Sequence, residues 1–149
     1  MLTLNQHIQL FSNFQSAHRQ LKTFYFGDVW EWYEANKDTG NLVYPAMFAT
    51  CTGGGVNGHQ HTRNYTIFFA DLERHAEQNE NEVLSDMELI ALDFLSYMQK
   101  GEENAQNILQ GVTLTPFTER GVDYIAGYEL TFSIVQDFEY PECTIPYTL

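Results

Sequence analysis

Hydrophobic and polar residues alternate along this chain with two different periods, and the switches between them outline its elements. Apolar side chains at Val83, Met87, Ile90, Ala91, Phe94, Leu95 and Met98 fall on one helix face. Asn79 is placed to cap this helix, with Glu82 able to reach back to the cap's N–H. Lys100 and Gly101 put a cation and a residue tolerant of left-handed backbone at its other end. Just upstream, Tyr65, Ile67 and Phe69 alternate with Thr66, Phe68 and Ala70, and the run stops at Asp71, which predicts a strand. This strand, elbow and helix, Tyr65–Lys100, is the unit against which the rest is expected to pack.

A first helix is predicted from the capping pair Thr3 and Gln6 and from the stripe Leu4, Ile8, Phe11, Phe14, His18 and Leu21, about five turns in all. The period then changes. Phe24, Phe26, Trp30 and Trp32 share a parity over Thr23–Tyr33, which predicts a strand with one aromatic face, bent or bulged at Gly27. Glu34–Asn41 is turn chemistry, and Val43–Cys51 reads as a strand with Pro45 at an edge or a strand start. Gly53, Gly54, Gly55 and Gly58 predict a projecting, flexible loop to about Asn64, too long for a tight hairpin. Beyond the amide-rich Glu102–Gln110, strands are expected at Val112–Thr118 and Asp123–Val135. In the latter, Tyr124, Ala126, Tyr128, Leu130, Phe132 and Ile134 keep an apolar parity, and Glu129 lies on the polar one.

The fold class that follows is α+β: a five-stranded, mainly antiparallel sheet with two helices packed on one face. One domain is expected over residues 1–149, with an extended C-terminal tail from about residue 137 that carries Pro141 and Pro146.

Composition adds one constraint. A hydrophobic content of 44% with 15% aromatics suits a packed domain, but 20 acidic side chains stand against 7 basic ones, a net charge of −13. Such a surface repels phosphates, so DNA grooves and backbones are disfavoured as ligands. The sequence shows no signal peptide and no membrane-length apolar run, so synthesis in the cytosol is expected. Cys51 and Cys143 form no metal-spacing motif and are expected as buried free thiols, with a disulfide between them as the alternative.

Two clusters invite a chemical reading. His59 and His61 near Cys51 have zinc-type donors without zinc-type spacing, so a polar loop is expected and no metal. Asp71, Glu73, His75, Asp86 and Glu88 gather near the elbow, where carboxylates and a histidine suit general acid–base work. Acids in the first turn also compensate the helix dipole, and no nucleophile or cofactor motif accompanies them. The enzyme reading, through Asp71, His75 and Asp86, is therefore the alternative. His18 is expected at the core edge rather than as a ligand.

Several stretches together resemble a family. They are Leu21-Lys22-Thr23-Phe24-Tyr25-Phe26-Gly27-Asp28-Val29-Trp30-Glu31, Tyr44-Pro45, Phe69-Ala70-Asp71, Asn81-Glu82-Val83-Leu84-Ser85-Asp86, Asp93, Asp123-Tyr124-Ile125-Ala126-Gly127-Tyr128 and Cys143-Thr144-Ile145-Pro146. They look like small virion proteins encoded with the structural genes of tailed bacteriophages and prophages. The element order is also similar to tail-terminator and tail-completion proteins, which form hexameric or dodecameric rings at the head–tail junction. The resemblance implies a tail-terminator-like fold and a non-enzymatic ring through which DNA passes without specific binding. It implies adjacent neck and tail proteins as partners, a virion location after synthesis in the host cytoplasm, and no cofactor, small-molecule substrate or membrane. The contacts expected on this reading are Gly53, Gly54, Gly55, His59 and His61 in the loop, Glu129 on the polar strand face, and Tyr140, Pro141 and Ile145 in the tail. A monomeric, phage-encoded binding module is the remaining alternative.

Overall fold

The strand of the central unit is longer than its alternation indicates, and this sets the shape of the sheet. The computed structural model describes residues 1–73, 80–100, 108–120 and 125–138. They form α1 (Leu4–Ala17), β1 (Thr23–Phe26), α2 (Val29–Asn36), β2 (Ala46–Asn57), β3 (Gln60–Leu72), α3 (Glu80–Gln99), β4 (Ile108–Arg120) and β5 (Ile125–Asp137). The five strands make one sheet in the order β1-β2-β3-β5-β4. Only β1 and β2 are parallel, so the sheet is mixed and mainly antiparallel, and the class is α+β.

β3 carries both layers of the core. Its Tyr65, Ile67 and Phe69 face α1 and α3, joining Phe11, Phe14, Met87, Ile90, Phe94, Leu130 and Phe132. Its Phe68 and Ala70 face the opposite way, joining Val29, Tyr33, Phe48, Phe117 and Ile125 under α2. A strand buried on both faces reads as a nearly continuous apolar run, which is what Tyr65–Ala70 is. Removing each of the larger side chains from water contributes roughly 1.5–3 kcal/mol, as an upper bound. The two expected helices share one face, and a third covers the other.

That third helix replaces the second half of the expected aromatic strand. Gly27 takes φ 145°, and the Asp28 side chain accepts a hydrogen bond from Glu31 N at 3.4 Å, capping α2. Val29 and Tyr33, four apart, then bury the same helix face. The shared parity of Trp30 and Trp32 has a different origin: Trp30 packs edge-on to Phe68 while Trp32 stacks on Tyr25. The helix is also why β1 and β2 are parallel, since a parallel pair needs a crossover.

Further expectations are corrected. α1 ends at Ala17 rather than running to Leu21, because His18 is extended (φ −78°, ψ 128°) and acts as the C-cap. The Thr3–Gln6 capping box is present, and Leu21 is buried from the connector. The glycine-rich loop is no loop: β2 continues through Gly53, Gly54 and Gly55 and pairs with β3 down to Asn57 opposite Gln60. Gly58 (φ 61°) and His59 form the two-residue turn, and Thr52 is the extra residue of a bulge. Pro45 directly precedes β2, the strand-start alternative of the two expected for it, and β2 lies inside the sheet beside β1. Glu88, one of the elbow carboxylates, is half-buried against the Tyr128 hydroxyl, while Leu89 is the outward residue at 58% exposure. Asn79, Gly101 and the expected tail beyond residue 138 lie outside the described residues.

Candidate interaction surface

The distal half of the β2–β3 hairpin is the longest run of exposed residues among those described. Thr52–Gln60 are all exposed, yet β3 is backed by β5 as far as Gln60 opposite Asp137. Gly53, Gly54, Gly55, His59 and His61 are thus brought together, on a strand pair with a fixed register. Gly54 has a local requirement: a Cβ there would collide with the Thr62 carbonyl.

The two margins of the sheet differ. β1 pairs with β2 only from Ala46 to Ala49, and Gly27 N donates to Ala49 O at 3.0 Å as the last bond on that side. From Thr50 to Asn57 no strand among the described residues pairs with the outer edge of β2, and this stretch carries no charge and no proline. β4, the opposite margin, contains Pro116, Gly111 at φ 62° and two register shifts, the features that blunt an edge against pairing.

Where β1 ends and β2 continues, the α2 face holds a depression of about 480 Å³. Gly27, Asp28 and Trp30 form its rim from the start of α2, and Thr50, Thr52, Thr66 and Phe68 form its floor. Glu129, expected as a contact on the polar parity of β5, lines it too, half-buried and opposite Phe68 in register. A row of threonines crosses this face over four strands: Thr50, Thr66, Thr131 and Thr113. The Thr113 and Thr131 hydroxyls are hydrogen-bonded. Beyond the N-terminus of α2 the sheet therefore changes from an apolar surface to a hydroxyl-lined one.

On the other face a buried polar network ties down the N-terminal segment, and the sequence reading missed it. His7 is fully buried, with Nδ1 2.7 Å from the Tyr65 hydroxyl and 3.3 Å from Arg63 Nη1. A guanidinium can only donate, so Nδ1 is the accepting nitrogen and the proton sits on Nε2. Arg63 also donates to Leu2 O at 2.8 Å, and the Gln136 side chain accepts from Leu2 N at 2.7 Å. Burial raises the Tyr65 hydroxyl far above the ordinary tyrosine value. The i, i+4 step from His7 to Phe11 was the available signal, since it continues the buried stripe toward the N-terminus. His18 lies at the core edge as expected, tilted on Phe14 and 3.0 Å from Asp93 Oδ2.

The elbow residues partly converge. Asp71 and Asp86 line one depression of about 550 Å³ together with Glu73 and Glu82, while His75 lies outside the described residues. Asp71 Oδ1 accepts from Leu72 N at 2.8 Å. Cys51 and His61 are not adjacent: Cys51 pairs with Tyr65, four positions along β3 from His61 and roughly 13 Å away by strand rise. Among the described residues no three His, Cys, Asp or Glu side chains are grouped to hold a metal ion. Tyr140, Pro141 and Ile145 lie outside the described residues.

No protein-family model matches the chain, and no curated protein is significantly similar to it. Among the described residues, no helix is long and apolar enough to cross a membrane.

Proposed function

We propose that this chain is a structural virion protein of tailed bacteriophages, assembling as a hexameric or dodecameric ring at the head–tail junction. On this reading it is a tail-terminator or tail-completion protein, contacts adjacent neck and tail proteins, and catalyses no reaction. The observation that carries the reading is the distal hairpin. An exposed arm held rigid by a third strand is suited to reaching a neighbouring subunit, because little conformational entropy remains to be lost on docking. The sequence likeness to phage virion proteins supports it. So does the net charge of −13, since an acidic lumen makes no attractive phosphate contacts that would slow passing DNA.

Imaging of the assembled particle is the test. One symmetric layer of this protein at the neck is the expected result. Its presence only as free monomer, in infected cells and when mixed with the neighbouring neck and tail proteins, would leave the monomeric binding module in its place. Hydrolysis of a substrate that is lost in Asp71→Asn and Asp86→Asn would instead establish the elbow as an active site.

A further inference from the structure

The outer edge of β2 and the depression at its foot are continuous, and together they have the parts of a peptide-binding site. Counting back from the two-residue turn, the closing pair Asn57–Gln60 exchanges both its backbone bonds, so Asn57, Gly55 and Gly53 point their polar groups toward β3. Gly54 and Val56 point theirs outward. The edge from Cys51 to Val56 thus offers main-chain donors and acceptors to an added strand, and its three glycines place no side chain in the way of one.

A strand laid there runs on from the end of β1. Its side chains alternate between the two sheet faces. On one face they meet Cys51 and Phe26, both partly buried against the main core. On the other they enter the depression, where Asp28 and Glu129 offer carboxylates, Trp30 an aromatic ring, and Thr50, Thr52 and Thr66 hydroxyls. Two carboxylates beside an indole favour a cation. A second copy of this chain brings the same acidic surplus, 20 acidic residues against 7 basic, to any contact with itself. A basic segment from a different protein brings charge complementarity.

We propose that the edge Cys51–Val56 takes up an extended segment of another protein as an added β-strand, with alternating apolar and polar residues and a lysine or arginine side chain placed in the Asp28–Glu129 depression. Backbone pairing supplies the affinity, and the depression selects the cationic side chain. The inference is independent of the ring reading, since a monomer can accept this strand and a ring can close without it.

The test is a nuclear magnetic resonance titration of the whole chain with the peptide acetyl-Thr-Val-Lys-Val-Thr-Val-Thr-amide at low ionic strength. The expected result is amide shift changes centred on Cys51–Val56. Affinity should fall about tenfold when lysine is replaced by glutamate, the size of one charge-assisted contact. Glu129→Gln should shrink that preference while leaving backbone-driven binding. Val56→Pro, which removes one outward amide, should abolish binding without moving the melting temperature by more than a few degrees. N-methylating alternate peptide amides should also abolish binding, which covers the case of a poorly folded proline variant. Equal affinity for the lysine and glutamate peptides overturns the proposal, as do shift changes elsewhere or no binding at all. Concentration-dependent self-association that Val56→Pro removes overturns it too, because the edge would then belong to a second copy. A ring closed through surfaces other than this edge leaves every one of these outcomes unchanged, so failure here and failure of the ring reading are distinguishable.

Discussion

Phe94→Ala removes the ring around which the main core is built. Phe94 is fully buried and meets four other rings: Phe11 at 5.6 Å, Phe14 at 5.3 Å, Phe69 at 6.0 Å and Phe132 at 5.7 Å. Truncating a buried phenylalanine typically costs about 3–5 kcal/mol, and the value rises when the walls cannot close on the cavity. Here α1 supplies two of the walls and the sheet the other two, so collapse would require a helix and a sheet to move together. The contacts with Phe11 and Phe14 are edge-to-face, each adding about 0.5–1.5 kcal/mol beyond buried area. The expected loss is therefore about 5 kcal/mol, out of a total that in most domains is about 5–15 kcal/mol. Urea melts followed by far-ultraviolet circular dichroism and by tryptophan fluorescence measure it. Trp30 and Trp32 lie on α2, across the sheet from the cavity, so coincident curves show that both layers unfold together. Leu89→Lys, at a position 58% exposed on the same helix, is the control and should stay within about 0.5 kcal/mol of the parent. A Phe94→Ala midpoint no lower than that of Leu89→Lys would refute the account of which α3 face is buried.

The remaining predictions concern the sheet and its α2 cover. Gly127→Ala puts a Cβ against the Phe69 carbonyl, so it should destabilise by at least the roughly 1–3 kcal/mol of an overpacked core, measured by the same melts. Asp28→Ala removes the α2 cap and should cost about 0.5–2 kcal/mol, with a matching change in tryptophan emission. His61 is held below its ordinary value of 6.5, first by burial and then by the Arg63 guanidinium, and its Nδ1 is buried without a hydrogen-bond partner among the described residues. The unfolded chain therefore takes up this proton first as pH falls, so stability is lost from about pH 6.5 downward through the lower folded value. His61→Gln should flatten the stability profile between about pH 7 and 5, and a variant profile that runs parallel to the parent's would exclude His61 as its source.

What the sequence made legible follows from where one physical signal acts alone. In β5, Ala126, Leu130, Phe132 and Ile134 face a single core, and their parity is visible in the sequence. The α3 stripe is visible for the same reason, since Val83, Met87, Ile90, Phe94 and Met98 are all buried. Errors arose where two signals overlapped. Trp30 and Trp32 continue the parity of Phe24 and Phe26, which masked the break at Gly27–Asp28. The distal hairpin was misread because its glycines, Asn57 and Gly58 are loop chemistry in isolation, and only the pairing with β3 makes a strand of Gly53–Asn57. Of the site, Glu129 is readable from parity, but the depression it lines is not, because the aromatic parity over Thr23–Tyr33 hides α2. The role of Arg63 in the His7–Tyr65 network was invisible, since those contacts join residues more than fifty positions apart.

The strand order has a consequence for the protein during its synthesis. β3, which carries both cores, pairs at once with β2, but its other neighbour is β5, the last of the five to be made. Some 65 residues separate Leu72 from Asp137, so at about 5–20 residues per second the ribosome leaves that side of β3 unpaired for roughly 3–13 s. During that interval the nascent chain presents the run Tyr65–Ala70 with an open edge, an aggregation-prone arrangement. Leu2 reaches its hydrogen bond to Gln136, 134 positions away, only when that interval closes. The chain is thus most in need of a chaperone between the completion of α3 and the release of β5, and slowing translation across residues 100–125 should lower the soluble yield more than slowing it anywhere before β3.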